Sequence, residues 1–159
     1  MRYFEDLTVG ERGETHRQVI TEDAIVAFAR EYDPQPFHVD PGLAQTSIWS
    51  GLVASGLQSL ALVSRLVIDD WLGEIANLGS PGLEPLNLRL PVRPDDEIRG
   101  EWEVLSMRPS RSHPERGVVR YQMKLLNHRE EVVLDTVAVI LVSRQTPWTD
   151  APTSPAGAA

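Results

Sequence analysis

The sequence contains no cysteine among its 159 residues. That absence excludes a disulfide framework, a thiolate nucleophile and any zinc site built on sulfur ligands. There is also no run of about 18 apolar residues, so no transmembrane helix is predicted. The first six residues, Met1 to Asp6, already include the acidic pair Glu5 and Asp6, and they lack the apolar core of a signal peptide. We therefore expect a cytoplasmic protein without a membrane segment.

The sequence has few basic residues: it contains 15 Lys and Arg but 23 Asp and Glu, which gives a net charge of −8. A domain this acidic is a poor general binder of nucleic acid or of anionic membranes. The hydrophobic fraction of 42% is that of an ordinary globular protein, and the length suits one domain. Residues 145–159 contain three prolines and four alanines but few large apolar groups, so we predict a domain at 1–144 and a disordered tail.

Hydrophobic spacing predicts helices in the first half of the chain. Thr21 is suited to cap a helix over residues 22–31, which must end before Pro34 because the residue preceding proline avoids helical geometry. A short helix is predicted at 42–46, and the apolar segment 52–72 predicts a long, largely buried helix.

The second half alternates with period two, after a turn predicted at residues 79–82. Strands are predicted near 15–20, 86–90, 98–104, 119–125 and 132–142, the last apolar on both faces like a central strand. A helical half followed by an antiparallel meander is the α+β pattern, with a curved sheet covering one long helix.

The segment from Asp33 to Gly42 holds three prolines and the histidine of greatest chemical interest, His38. We predict a stiff, ordered loop that holds Asp33 and His38 in register, so that they could share a water as a general-base pair. The alternative is that Asp33 caps local amides while His38 satisfies a backbone carbonyl. Spacing alone leaves both open. His38 and Asp40 are too few ligands for a metal site, so none is predicted.

Small residues from Gly51 to Leu57 mark the head of the long helix. A helix N-terminus carries partial positive charge, so the Gly56 amide could polarise a carbonyl oxygen as an oxyanion hole. The alternative is that Gly56 only permits close packing against a strand. Ser55 lacks the second glycine of a nucleophile elbow and is interpreted as polar structure at the helix start, and no glycine-rich phosphate loop occurs. The remaining histidines are predicted to be structural or exposed: His16, His113 and His128.

Three segments of the chain resemble the MaoC-like dehydratases, also called (R)-specific enoyl-CoA hydratases. They are Tyr3 to Gly10, the Asp33-x-x-Pro36-x-His38-x-Asp40 block with its flanks, and Gly51 to Gly56; the likeness extends through Arg89 to Asp96 and the later strands. The resemblance implies a hot-dog fold and the interconversion of a 2-enoyl-CoA and a 3-hydroxyacyl-CoA. It implies that Asp33 and His38 are catalytic and that the Gly56 amide binds the thioester carbonyl.

This chain departs from the family pattern at two positions. Gln35 stands where the family often has Asn, and Ser55 stands where it often has His. Both are therefore candidates for substrate binding that differ from the family. The resemblance further implies a homodimer, or a higher homo-oligomer, joined through sheet edges with each site near the interface.

The implied substrate is an acyl-CoA thioester, and no cofactor is expected. Coenzyme A is polyanionic, so arginines should gather at the mouth of the site. The densest basic group in the sequence is Arg108, Arg111 and Arg116; a solvated hairpin tip is the alternative interpretation of these three. Two other functions stay open: a hot-dog acyl-CoA thioesterase, and a non-catalytic acyl-CoA-binding subunit.

Overall fold

The computed structural model describes residues 1–146, and helices occupy most of its first half. The α-helices are α1 (Glu22–Tyr32), α2 (Pro36–Val39), α3 (Pro41–Gln45) and α4 (Gly56–Asp70). The strands are β1 (Arg12–Val19), β2 (Asn77–Leu83), β3 (Asn87–Leu88), β4 (Glu97–Pro109), β5 (Arg116–Leu126) and β6 (Val132–Ser143). Short 3₁₀ helices cover Phe4–Asp6 and Leu72–Glu74.

All six strands join one antiparallel sheet in the order β1-β4-β5-β6-β2, with β3 also pairing with β6. β6 therefore lies between β5 on one side and β2 and β3 on the other, which confirms the prediction of a central strand. β1 and β2 form the two outer edges of the sheet. Connections between β4, β5 and β6 are hairpins, as expected for a meander.

α4 packs on the inner face of the sheet, against β1, β4 and β5. Its side chains Val63, Leu66 and Val67 are fully buried and belong to the same apolar core as Val104 and Leu125 of the sheet. Burial of each such side chain contributes about 1.5–3 kcal/mol. A curved sheet wrapped around one long helix is the hot-dog arrangement, so the predicted α+β fold is confirmed.

Local signals account for the start of α1. The Thr21 hydroxyl accepts the Ala24 N–H at 3.2 Å, which confirms the predicted cap. The predicted stiff loop that follows contains the two short helices α2 and α3, each of which begins at a proline. Proline is favoured at this position because its missing N–H would have no partner in the helix. Asp40 caps α3 by accepting the Leu43 N–H at 3.0 Å.

The turn predicted at residues 79–82 is wrong, because these residues lie within strand β2. β2 is an edge strand whose register with β6 shifts on both sides of Gly79, and an edge strand tolerates the missing N–H of Pro81. Gly79 has a φ of +116°, which only glycine adopts readily. Ser80 restores a contact with β6 by donating its hydroxyl to the Val139 carbonyl at 2.6 Å.

The ends of the described chain meet each other. Glu5 accepts the Arg144 guanidinium at 2.7 Å and the Gln145 N–H at 3.2 Å. The rest of the tail predicted to be disordered, from residue 147 onward, lies outside the described residues. No helix within residues 1–146 is long and apolar enough to cross a membrane.

Candidate active site

Asp33 and His38 come together at the end of α1. Asp33 is the C-terminal capping residue of α1, held by its backbone N–H to the Ala29 carbonyl at 2.9 Å. α2 then turns the chain inward, so that the His38 side chain is buried with 6% of the residue exposed. His38 Nε2 lies 3.5 Å from Asp33 Oδ2. The two groups are close enough to contact one water or one proton together.

The second ring nitrogen of His38 fixes the orientation of the imidazole. Nδ1 lies 2.6 Å from the Val53 carbonyl oxygen, which can only accept a hydrogen bond, so Nδ1 carries the proton. Phe37 packs edge-on against the ring, with centroids 4.4 Å apart. His38 does satisfy a backbone carbonyl, as the non-catalytic interpretation expected, but it does so through Nδ1. Nε2 stays directed toward Asp33.

The Asp33 carboxylate is held by two side chains rather than by local amides. The Ser55 hydroxyl donates to Oδ2 at 2.6 Å, and the Gln35 side-chain amide donates to Oδ1 at 2.8 Å. These two hydrogen bonds hold the pKa of Asp33 below its usual value, and the one from Ser55 has the larger effect. Both candidates for substrate binding thus contact Asp33, which they keep ionised and fixed.

Gly56 is the first residue of α4 and lies close to Leu88 of β3. A Cβ at Gly56 would lie 2.4 Å from Leu88 Cδ1 of β3, so the glycine lets this leucine side chain pack closely on the start of the helix. The Gly56 N–H makes no hydrogen bond to any group in the described part of the chain. A free amide at the positive end of a fifteen-residue helix can donate to an anionic oxygen.

These groups open into one cavity of about 400 Å³. Its polar lining includes Asp33, Gln35, His38, Ser55, Gly56 and Ser59. The apolar lining residues include Trp49, Leu86, Leu88 and Leu90. The Asp33–His38 pair and the Gly56 N–H therefore border the same, largely apolar space.

Comparison with known proteins shows the family of this chain. Residues 6–125 match the MaoC like domain. The chain belongs to the MaoC-like family. An uncharacterized protein of Bacillus subtilis, YdeM, is 30% identical over 141 residues that span 89% of this chain and 99% of the relative.

Two further relatives of this MaoC-like chain have more informative names. A 3-hydroxybutyryl-CoA dehydratase of Methylorubrum extorquens is 30% identical over 148 residues, 90% of this chain and 85% of the relative. A solved MaoC-like dehydratase from Rhodospirillum rubrum has a TM-score of 0.84 at 40% sequence identity, and the match covers 92% of this chain and 99% of that one. The resemblance inferred from the motifs is thereby confirmed.

The three arginines proposed for coenzyme A do not line the cavity of this MaoC-like domain. Arg108 lies near the end of β4, Arg111 lies in the following turn and Arg116 begins β5. Their position is that of a hairpin tip, which was the alternative interpretation. The cavity wall instead includes Arg89, which the sequence analysis did not single out as a site residue.

The other histidines form pairs away from the cavity. His16 bonds Asp70 at 2.8 Å and so joins β1 to the end of α4, which is the structural role predicted for it. The remaining two are half-exposed and approach carboxylates: His113 approaches Glu115 and His128 approaches Asp96. Within residues 1–146 no group of three or more His, Asp or Glu side chains is placed to hold a metal ion.

Replacing Ser55 with Ala is expected to raise the pKa of Asp33, because the hydrogen bond that most favours its ionised form is lost. A lowered carboxyl pKa stabilises the fold above the unfolded value of about 3.9, and that stabilisation is lost as pH falls through the folded pKa. In the variant the stabilisation above that pH should therefore be smaller, and its loss on acidification should be complete at a higher pH. Carbon-detected NMR titration of the Asp33 carboxyl measures the shift directly.

Ser59→Ala is the matched control for this titration. Ser59 lines the same cavity, but its hydroxyl donates to the Ser55 carbonyl at 3.4 Å and not to Asp33. Its removal should leave the Asp33 titration unchanged. An identical Asp33 pKa in the wild-type protein and Ser55→Ala would contradict the assigned cause.

Proposed function

We propose that this MaoC-like protein adds water to the double bond of a 2-enoyl-CoA thioester and catalyses the reverse dehydration of the 3-hydroxyacyl-CoA. The observation that carries the proposal is the placement of Asp33 and His38 on the same apolar cavity as the free N–H of Gly56. A general-base pair and an oxyanion donor are the two elements that such a reaction needs. Catalytic roles for Asp33, His38 and Gly56 are part of this proposal.

In the proposed reaction the thioester carbonyl accepts the Gly56 N–H, which draws electrons away from C3 of the substrate. Water held between Asp33 Oδ2 and His38 Nε2 forms the new C–O bond at C3. One proton passes from the water to the Asp33–His38 pair, and one passes from the pair to C2. The pair ends with the protons it began with, and no redox step occurs, so the proposal includes no cofactor.

Gln35 and Ser55 have an indirect part in this proposal. Both line the cavity, but each donates a side-chain hydrogen bond to Asp33, and these bonds keep the carboxylate in the ionised form that accepts a proton. Ser55 also accepts the Leu57 N–H at 3.2 Å, so one hydroxyl fixes both the catalytic carboxylate and the first turn of α4. This contact ties the base to the helix that carries the oxyanion donor.

Incubation with crotonyl-CoA tests the proposal. Hydration removes the enoyl absorbance and releases no thiol, and the product should be 3-hydroxybutyryl-CoA. Release of free thiol would instead identify the thioesterase alternative. Tight binding with neither change, at enzyme concentrations that exceed the substrate and across several acyl lengths, would identify a non-catalytic acyl-CoA-binding subunit.

The homodimer is likewise proposed and is supported by an exposed sheet edge. Every residue of β2 is exposed, and the leucines at its end and just after it are each between 37% and 56% exposed: Leu83, Leu86, Leu88 and Leu90. An edge of this kind presents unpaired backbone groups that a second copy can pair. Its position beside Leu86 and Leu88 of the cavity wall would place each site near the interface.

Light scattering is expected to give about twice the 17.7 kDa mass of one chain. Leu83→Lys should shift the protein toward the monomer, because it places a charge on the β2 edge. Leu105→Lys is the matched control, since Leu105 is 36% exposed but lies on the interior strand β4. A wild-type mass of 17.7 kDa at micromolar concentration would contradict the dimer.

A further inference from the structure

Arg89 is the one Lys or Arg side chain on the cavity wall within the described residues. The other lining residues are uncharged apart from the Asp33–His38 pair, and the protein as a whole has a net charge of −8. If the proposed function holds, this cavity receives a substrate that carries several negative charges. A cation on its wall is therefore placed to contact a negatively charged part of that substrate.

The guanidinium of Arg89 is fixed on one side by a buried carboxylate. Its Nε and Nη2 both donate to Asp135 Oδ2, at 2.9 and 2.6 Å. Asp135 lies on the central strand β6, is only 9% exposed, and receives a further hydrogen bond from Asn87 Nδ2 at 2.7 Å. Residues 87 and 89 flank Leu88, whose side chain covers Gly56.

The other side of the guanidinium is open. Nη1 of Arg89 makes no hydrogen bond to any residue between 1 and 146, and the side chain is 55% exposed. An arginine held by Nε and Nη2 loses little further freedom when it binds a ligand through its remaining N–H groups. Planar N–H donors of this kind match phosphate and carboxylate oxygens.

We propose that Arg89 binds an anionic group of the thioester substrate, a phosphate of coenzyme A or a carboxylate at the acyl end. The proposal rests on the proposed function for the identity of the substrate. It assigns to Arg89 the part that the sequence suggested for the arginines of the β4–β5 hairpin. Asp135 acts as the positioning residue that holds the guanidinium at the cavity.

Three substrates separate the two sources of negative charge. Crotonyl-CoA carries the phosphates, crotonyl-pantetheine carries none, and glutaconyl-CoA adds an acyl carboxylate. If a phosphate is bound, Arg89→Met should raise KM about tenfold for both CoA esters and leave KM for crotonyl-pantetheine unchanged, as expected for a lost charge-assisted hydrogen bond. If the acyl carboxylate is bound, only KM for glutaconyl-CoA should rise.

Asn87→Ala is the matched control. It removes another hydrogen bond to Asp135 but leaves the charge of Arg89, so KM should change much less than in Arg89→Met. Arg89→Lys keeps the charge without the planar donors and should lie between Met and the wild type. Equal effects of Asn87→Ala and Arg89→Met, or an unchanged KM for all three substrates in Arg89→Met, would overturn the proposal.

Calorimetric titration with coenzyme A and with glutaconyl-CoA separates this proposal from the proposed function. Weaker binding of either compound to Arg89→Met supports the role of Arg89 even if the wild-type protein hydrates none of the esters. Normal hydration by the wild type together with unchanged binding and KM in Arg89→Met would retain the hydratase and overturn the role of Arg89. Absence of both binding and turnover in the wild type would overturn both.

Discussion

Asp33→Asn is expected to lower kcat for crotonyl-CoA hydration by about 10²–10⁴-fold, the usual effect of losing a general base. The amide matches the carboxylate in shape but cannot accept the proton that leaves the water. It can still accept from Gln35 through its oxygen and donate to the Ser55 hydroxyl through its NH₂. The variant should therefore fold with a melting temperature close to that of the wild type.

Asp40→Asn is the control for this substitution. Asp40 lies in the same proline-rich segment, but it caps α3 and does not line the cavity. Asn is an equally good helix cap, so neither turnover nor stability should change appreciably. A rate near that of the wild type in Asp33→Asn would remove Asp33 from the proposed mechanism.

Asp33 and His38 could be predicted as a pair because the forces that join them are local. Pro34 ends α1 at Asp33, and Pro36 starts the short helix that turns His38 inward. Both effects follow from the fixed φ of proline and its missing N–H, which are visible in the sequence. The helix cap at Thr21 was also predictable from local sequence, because its hydroxyl accepts an N–H only three residues further along the chain.

The partners of Asp33 could not be predicted, because Ser55 lies 22 residues away in the chain. Only the packing of α4 beside the end of α1 brings the hydroxyl to the carboxylate. Gln35 is two residues from Asp33, yet its sequence position did not show that its longer side chain turns back to Oδ1. The departures from the family pattern thus alter the surroundings of the Asp33 carboxylate and leave Asp33 and His38 side by side.

The apolar wall of the cavity depends on the pairing of β2 and β3 with β6, which the local sequence does not indicate. The glycines and proline at 79–82 are typical of a turn, but pairing with β6 some 60 positions later makes them an edge strand. The same edge carries β3 across the N-terminus of α4, where Leu88 covers Gly56. The clustering of arginines in the β4–β5 hairpin does not indicate how far they lie from the cavity. The single Arg89, in contrast, lines the cavity.

His38→Ala is expected to lower kcat by about 10²–10⁴-fold, because Nε2 is the second group that contacts the attacking water in the proposed reaction. The substitution also leaves the buried Val53 carbonyl without its donor, which should cost about 1–3 kcal/mol of unfolding free energy. A modest fall in melting temperature is therefore expected alongside the loss of activity, and the two effects must be separated.

His38→Asn makes that separation. Its side-chain amide can donate to the Val53 carbonyl in place of Nδ1, but it supplies no basic nitrogen toward Asp33. Stability should be largely restored while kcat stays as low as in the Ala variant. Added imidazole should partly restore turnover to His38→Ala, since the vacated volume opens onto the cavity. His113→Ala, at a half-exposed histidine outside the cavity, should retain the wild-type rate. Turnover that followed melting temperature across the His38 variants would mean that His38 acts only by packing, and Asp33 would then have to activate the water alone.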